Sequence, residues 1–281
     1  NKYGLYLGDL AKKFMLKNKL HVDFICSHGH TIFHKPENNY TLQIGNGQSI
    51  ANQSQQTVIC DFRSLDISLG GQGAPLVPIG DQLLFQDYDY CLNLGGFSNV
   101  SYQRDGMRKA YDICPVNIVL NDLAQKLGYP FDKNGAISQT GHMIESLFTQ
   151  LNQLPYYKEK GPKSLGKEWV EQYIHPLVKQ HSNIADLLHT FTEHAAFQMG
   201  KNLKKGNCLI TGGGAFNCYL IERLKCYTKT NIHLPNKKII EYKEALIFAF
   251  LGVLRYRNEM NCLSSVTGAK HDCSGGVIFT P

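Results

Sequence analysis

The chain has 281 residues, room for one large domain or two lobes, and its 43% hydrophobic and 19% charged residues exclude a disordered polypeptide. A formal net charge of +6 is spread along the sequence, and only Lys201, Lys204, Lys205 and the pair Lys237–Lys238 cluster. That pattern argues against nucleic acid as a partner, and the longest apolar run, Ala245 to Leu254, is far short of the roughly 20 residues of a membrane helix.

Leu5–Lys17 reads as an amphipathic helix with Leu5, Leu10, Phe14 and Ala11 on one face. Asn1–Lys19 as a whole is polar and unlike a signal peptide. His21–Cys26 is a β-branched and aromatic strand entering the loop Ser27-His28-Gly29-His30-Thr31, and Tyr40–Ile44 and Thr57–Cys60 are further strands. Tyr90–Leu94 runs into Gly95-Gly96, with Asn99–Gln103 as its hairpin partner. Ile118–Leu127 reads as a helix ending at Gly128, and Pro130 prevents continuation. Leu165–Tyr173 and Ile184–Leu203 are helical. Cys208–Thr211 is a strand entering Gly212-Gly213-Gly214, with a helix over Phe216–Lys225. Glu244–Tyr256 is a largely apolar helix, expected to be buried between lobes. The alternation of strands and helices predicts an α/β architecture.

The nine cysteines include no CxxC pair, and Cys26, Cys60, Cys91 and Cys208 lie in apolar runs. Neither a zinc knuckle nor a disulfide scaffold is indicated. Reduced thiols and a cytoplasmic location are expected. His28, His30 and His34 lack an acid or Cys to complete a metal site, and Cys273 and His271 read as part of a loop.

Two strand-to-glycine junctions, Leu94-Gly95-Gly96 and Thr211-Gly212-Gly213-Gly214, carry the first functional signal. Glycines there let backbone N–H groups approach a phosphate, and the second junction opens a helix. A single such pair reads first as a tight turn. Two of them point to nucleotide binding.

The second signal is Cys60–Leu76, which joins Asp61, Arg63 and Asp66 to the turn Gly70-Gly71-Gln72-Gly73-Ala74-Pro75. The segment has few side chains to bury and lets the main chain pass close to a polar ligand. Asp66 is a candidate general base, and Arg63 is placed to position Asp61 or contact a phosphate. The competing reading is a loop whose acids pair with Arg63.

These segments together resemble the anhydro-N-acetylmuramic acid kinases. The resemblance rests on Ser27-His28-Gly29 with Thr31, Thr41–Gly45, Asp61-Phe62-Arg63 with Asp66, and Gly70–Pro78. It continues through Leu92–Val100, Phe131-Asp132-Lys133-Asn134-Gly135, Pro162-Lys163-Ser164 with Gly166, Gly212–Asn217, Glu244-Ala245 and Ser265-Val266-Thr267-Gly268-Ala269. It implies the two-lobed actin-like (ribonuclease H-like) ATPase fold, with nucleotide and sugar in the interlobe cleft. The lobes would be residues 1–86 with 246–281, and 87–245. The implied activity is hydrolytic opening of the 1,6-anhydro bond with ATP-dependent phosphorylation of O6, aided by Mg²⁺. Asp66 would activate the water, and His28, Gly71, Gln72 and Glu244 would face the sugar. Gly95, Gly96, Asn99, Gly212, Gly213, Gly214 and Asn217 would face the nucleotide, and a homodimer is implied.

Three departures qualify the resemblance. The family's N-terminal phosphate loop is missing ahead of Asn1, so a truncated and catalytically impaired polypeptide is expected. Asp112-Ile113-Cys114-Pro115-Val116-Asn117 is bulkier than the glycine-rich family turn, and His30 replaces a usual Gln. The residues leave open a kinase for another anhydro-sugar or hexose derivative, and an inactive sugar or nucleotide sensor on the same fold.

Overall fold

Strands Tyr90–Leu94, Phe97–Arg104 and Met107–Pro115 form an antiparallel meander. Its second turn is Asp105-Gly106, both with positive φ (51° and 76°), the conformation that matches the twist of a tight hairpin. Asn207–Thr211 then pairs in parallel with Tyr90–Leu94, and Asn231–His233 pairs in parallel with Asn207–Thr211. Three antiparallel strands followed by two parallel ones is the ribonuclease H-like strand order. The central strands read as apolar runs because they are covered on both faces.

The computed structural model describes every residue except Lys160 and Pro162. The chain divides into two units, Asn1–Leu84 with Glu244–Pro281, and Phe85–Lys243. Mixed α/β structure in two units is the predicted fold class. Pro162, one of the motif residues, lies outside the described residues.

The core of the Phe85–Lys243 unit joins Leu92, Leu94 and Ile210 of the sheet to Leu123, Phe191 and Leu224 of the helices. Helix Ile184–Asn202 starts where the Asn183 side chain accepts from the N–H groups of Ala185 and Asp186, an N-cap. Helix Asn117–Gln125 ends two residues earlier than predicted. Gly128 adopts φ +83°, and the Tyr129 N–H reaches back to the Ala124 carbonyl at 3.1 Å, a glycine-terminated helix end. The helix predicted over Leu165–Tyr173 is one short turn, Lys167–Trp169, continued by a π-helical turn over Val170–Ile174. Pro176 stands two residues beyond, in the short helix His175–Val178, and has no N–H to close an α-turn onto residue 172.

In the other unit, Val58–Cys60 is the middle strand, parallel to Ile25–Ser27 and antiparallel to Val277–Phe279. Only Ile25 and Cys26 of the run predicted over His21–Cys26 find a ladder partner, and Ser27, read as loop, joins them, so the strand is Ile25–Ser27. His30–Lys35 and Tyr40–Ile44 form a separate hairpin.

Two helix readings need correction. Helix Lys2–Asn18 buries Gly4 and Gly8, whereas Leu5, Leu10 and Phe14 are exposed. A Cβ on Gly4 would lie 2.8 Å from the Asn46 carbonyl oxygen, and one on Gly8 would lie 2.7 Å from Gln53 Cβ. Close approach to helix Gly47–Ser54 therefore selects the glycine face. Helix Lys237–Tyr256, seven residues longer at its start than predicted, is amphipathic rather than buried all round. Ile247, Phe248, Leu251 and Leu254 are buried, while Leu246, Val253 and Tyr256 are exposed, a helical stripe one face wide.

Candidate functional site

Asp66 lies on the one-turn helix Ser64–Ser68, started by Asp61, whose Oδ1 accepts from the Ser64 N–H and hydroxyl. The chain then folds back through Gly70 (φ +86°), and the Gly71 N–H donates to the Asp66 carbonyl at 2.9 Å. Gly73 (φ +65°) turns its own N–H onto Asp66 Oδ2 at 2.7 Å. Gly71 must be glycine for packing reasons, since a Cβ there would collide with the Asp66 carboxylate.

The other carboxylate oxygen is held from the C-terminal segment. Thr267 donates its hydroxyl to Asp66 Oδ1 at 2.7 Å, and Cys262 donates its thiol to the same oxygen at 3.2 Å. The Gln72 N–H donates to the Thr267 carbonyl at 2.9 Å, tying the glycine turn to this segment. Three donors from two distant stretches of chain thus fix one carboxylate that is 1% exposed. Fixing the rotamer of a reactive group by packing and hydrogen bonds is what precise chemistry requires.

Cys262 and Cys273 oppose each other and exchange both backbone hydrogen bonds, at 3.0 and 3.1 Å. Buried Asn261 braces the pair, donating to the Leu251 and Gly275 carbonyls and accepting the Gly275 N–H. Asp272 accepts from the Ser264 N–H and hydroxyl at 2.7 Å, setting the turn that carries Thr267. The reading of Cys273 as an uninvolved loop residue is therefore corrected. It lies beside Asp66, brought there by a cross-strand pair that has no local sequence signature.

Arg63 also departs from expectation. Its Nε and Nη2 both donate to His28 Nε2, at 3.2 and 2.7 Å, and its Nη1 donates to the Gly73 carbonyl. The guanidinium thus goes to His28 and the glycine turn rather than to Asp61. An Nε2 that accepts from Arg63 requires a neutral imidazole with its proton on Nδ1. Burial lowers the His28 pKa, the Arg63 charge lowers it further, and Glu244 opposes both. The His28 ring also packs on Phe248 at 4.7 Å. Of the sugar-side residues, Gly71 is buried, His28 is half-buried, and Gln72 and Glu244 are exposed.

In the Phe85–Lys243 unit the two glycine junctions meet. They follow neighbouring parallel strands, at whose carboxyl ends ligands of open α/β sheets bind. A Cβ on Gly212 (φ +82°) would lie 2.6 Å from Asn93 Oδ1 and 2.8 Å from the Leu94 carbonyl oxygen. Gly214 is packed on Leu94, whereas Gly213 faces open space, with Asn117 Nδ2 3.9 Å from its Cβ position. Asn117 in turn donates to the Leu94 carbonyl at 3.2 Å. The Gly95 N–H donates to the Phe97 carbonyl, and Gly96 and Asn99 are exposed. Asn217 is a helix cap whose Oδ1 accepts the Leu220 N–H at 3.0 Å. Asp112 Oδ2 accepts the Leu165 N–H at 2.9 Å, and burial raises its pKa. The Phe131–Gly135 motif is scaffolding. Asp132 accepts from the Ile137 and Ser138 N–H groups, and Gly135 passes too close to Asn217 and Tyr219 for any side chain.

Residues 1–281 match the family model for anhydro-N-acetylmuramic acid kinase. The anhydro-N-acetylmuramic acid kinase of Aliivibrio fischeri is 35% identical over 282 residues, covering 91% of this chain and 74% of the relative. That of Bacillus cereus is 34% identical, covering 92% and 76%, and that of Mannheimia succiniciproducens is 32% identical, covering 99% and 82%. No helix among the described residues is long and apolar enough to cross a membrane. Matched along its whole length, the chain belongs to the anhydro-N-acetylmuramic acid kinase family.

Proposed function

We propose that this protein is an ATP-dependent kinase that opens the 1,6-anhydro bond of anhydro-N-acetylmuramic acid with water and phosphorylates O6. The product is N-acetylmuramic acid 6-phosphate, an intermediate of murein recycling, and the proposed location is the cytoplasm. The observation that carries the reading is the Asp66 carboxylate, pinned by the Gly73 N–H, the Thr267 hydroxyl and the Cys262 thiol in a member of this family.

In this mechanism Asp66 takes a proton from water as its oxygen attacks the anomeric carbon. The bond from that carbon to O6 breaks, and O6 accepts the γ-phosphoryl group of ATP. His28, Gly71, Gln72 and Glu244 contact the sugar, with Arg63 fixing His28. The exposed Gly96 and Asn99 edge and the open Gly213 position give the phosphates an approach to backbone that side chains would block. Phosphoryl transfer asks a protein chiefly for alignment and charge neutralisation, and Mg²⁺ carried on the ATP phosphates supplies part of the latter. The described residues offer one group of three converging metal-capable side chains, Asp66, Cys262 and Cys273. Two thiols do not suit a hard, oxygen-seeking Mg²⁺.

The test is coupled ADP release with anhydro-N-acetylmuramic acid, comparing the protein with Asp66→Asn. A fall in kcat of about 10²–10⁴-fold is expected from loss of the base. Undiminished turnover in Asp66→Asn removes the base assignment. Sugar binding by calorimetry without phosphate transfer in the unaltered protein favours a sensor.

A further inference from the structure

The carboxylate of Asp66 and the two thiols of Cys262 and Cys273 converge on one point, and the Cys273 thiol is not among the donors that hold the carboxylate. All three ligand atoms lie within 4.8 Å of one another, and all three residues are buried. Cys262 Sγ lies 3.2 Å from Asp66 Oδ1. Two thiolates and a carboxylate around one tetrahedral Zn²⁺ have their sulfur and oxygen atoms about 3.5–3.8 Å apart, given the usual ligand distances. The Cys262–Asp66 pair is already within that separation, and no pair of the trio exceeds it by more than about 1.3 Å. Both cysteines are free thiols. Their backbones are locked by paired hydrogen bonds, and the flanking Asn261 is fixed by three more. Rigid support of this kind preorganises a metal site.

We propose that Asp66, Cys262 and Cys273 form a binding site for a thiophilic divalent cation of the Zn²⁺ type, and that the bound cation blocks catalysis by occupying the carboxylate. The second half rests on the reading of Asp66 as the base. On binding, each thiol loses its proton to solvent and forms one metal–sulfur bond, and Asp66 Oδ1 exchanges the Thr267 hydroxyl for the metal. Water or the Thr267 oxygen completes the four ligands. The pair of sulfur ligands selects against Mg²⁺, so the ion that accompanies ATP does not compete.

The experiment uses the full chain with a phosphine reductant and Co²⁺ as probe. One Co²⁺ per chain is expected to bind, with a thiolate-to-cobalt charge-transfer absorption that Zn²⁺ abolishes by displacement. Cys262→Ser and Cys273→Ser each weaken or remove that absorption, Cys218→Ser leaves it unchanged, and Asp66→Asn keeps it while lowering affinity roughly tenfold or more. Should the serine variants fail to fold, X-ray absorption of the zinc-loaded unaltered protein decides, two sulfur ligands at about 2.3 Å being expected. No charge-transfer absorption, its survival in the Cys262→Ser/Cys273→Ser double variant, or zinc bound without sulfur overturns the site. Binding at the site without inhibition of ADP release overturns the catalytic consequence alone, whereas failure of Asp66→Asn to lose activity overturns the base reading and leaves the site standing.

Discussion

The Thr267 hydroxyl meets Asp66 Oδ1 at 2.7 Å across 201 positions of sequence, and on the same oxygen it is joined by Cys262. Thr267→Val removes that donor while keeping the shape of the side chain. The expected cost is about 1–2 kcal/mol of stability with a kcat roughly tenfold lower, and Thr267→Ser restores kcat. Urea unfolding and steady-state kinetics on the two variants check this. Equal losses in both would remove the hydroxyl from the account.

Gly70 and Gly71 separate backbone strain from damage to the carboxylate. Gly70 has φ +86° and open space where a Cβ would stand, whereas a Cβ on Gly71 strikes Asp66. Gly70→Ala is expected to cost about 1–2 kcal/mol through its left-handed backbone with kcat little changed. Gly71→Ala is expected to cost about 1–3 kcal/mol by overpacking and to reduce kcat sharply. A similar kcat for the two variants would contradict the geometry.

His194 makes acid stability measurable in the Phe85–Lys243 unit. It is fully buried between Asn152 Oδ1 and the Tyr157 hydroxyl, and burial lowers its pKa from 6.5 to about 3. A pKa lower in the folded state than in the unfolded chain means the neutral ring stabilises above pH 6.5. That stabilisation is lost as pH falls towards 3. Between pH 7 and pH 4.5 the loss is about 2–3 kcal/mol. His194→Gln is expected to be less stable at pH 7 and to lose correspondingly less on acidification, as denaturant titrations at both pH values will show.

Asn217 has a cap to maintain whatever else it touches. Asn217→Ala is expected to destabilise by about 1 kcal/mol, and Asn217→Asp to hold because the capping oxygen remains. A KM for ATP that rises in Asn217→Asp at unchanged melting temperature marks a nucleotide contact, and an unchanged KM leaves a cap alone.

Strands and glycine junctions were legible because their signals are local. Tyr90–Leu94 and Tyr40–Ile44 fall where periodicity puts them, and each glycine loop follows its strand directly. The partners of Asp66 were not legible. Cys262 and Cys273 are joined by a cross-strand pair, and nothing within a window of sequence shows that the pair will close on residue 66. Arg63 misled because its neighbour in sequence is Asp61, while its neighbours in space are His28 and Gly73. Helix Lys2–Asn18 misled because a hydrophobic stripe predicts the buried face only when side chains set the packing distance. Here two glycines set it.

The three donors to Asp66 also impose an order of events during synthesis. The carboxylate and the Gly73 turn leave the ribosome first, and Cys262 and Thr267 follow about two hundred codons later. Until they arrive, Oδ1 lacks both of its partners. A nascent chain that has completed its five-stranded sheet therefore still carries an unfinished carboxylate, and competence for chemistry waits on the segment that follows that sheet in sequence.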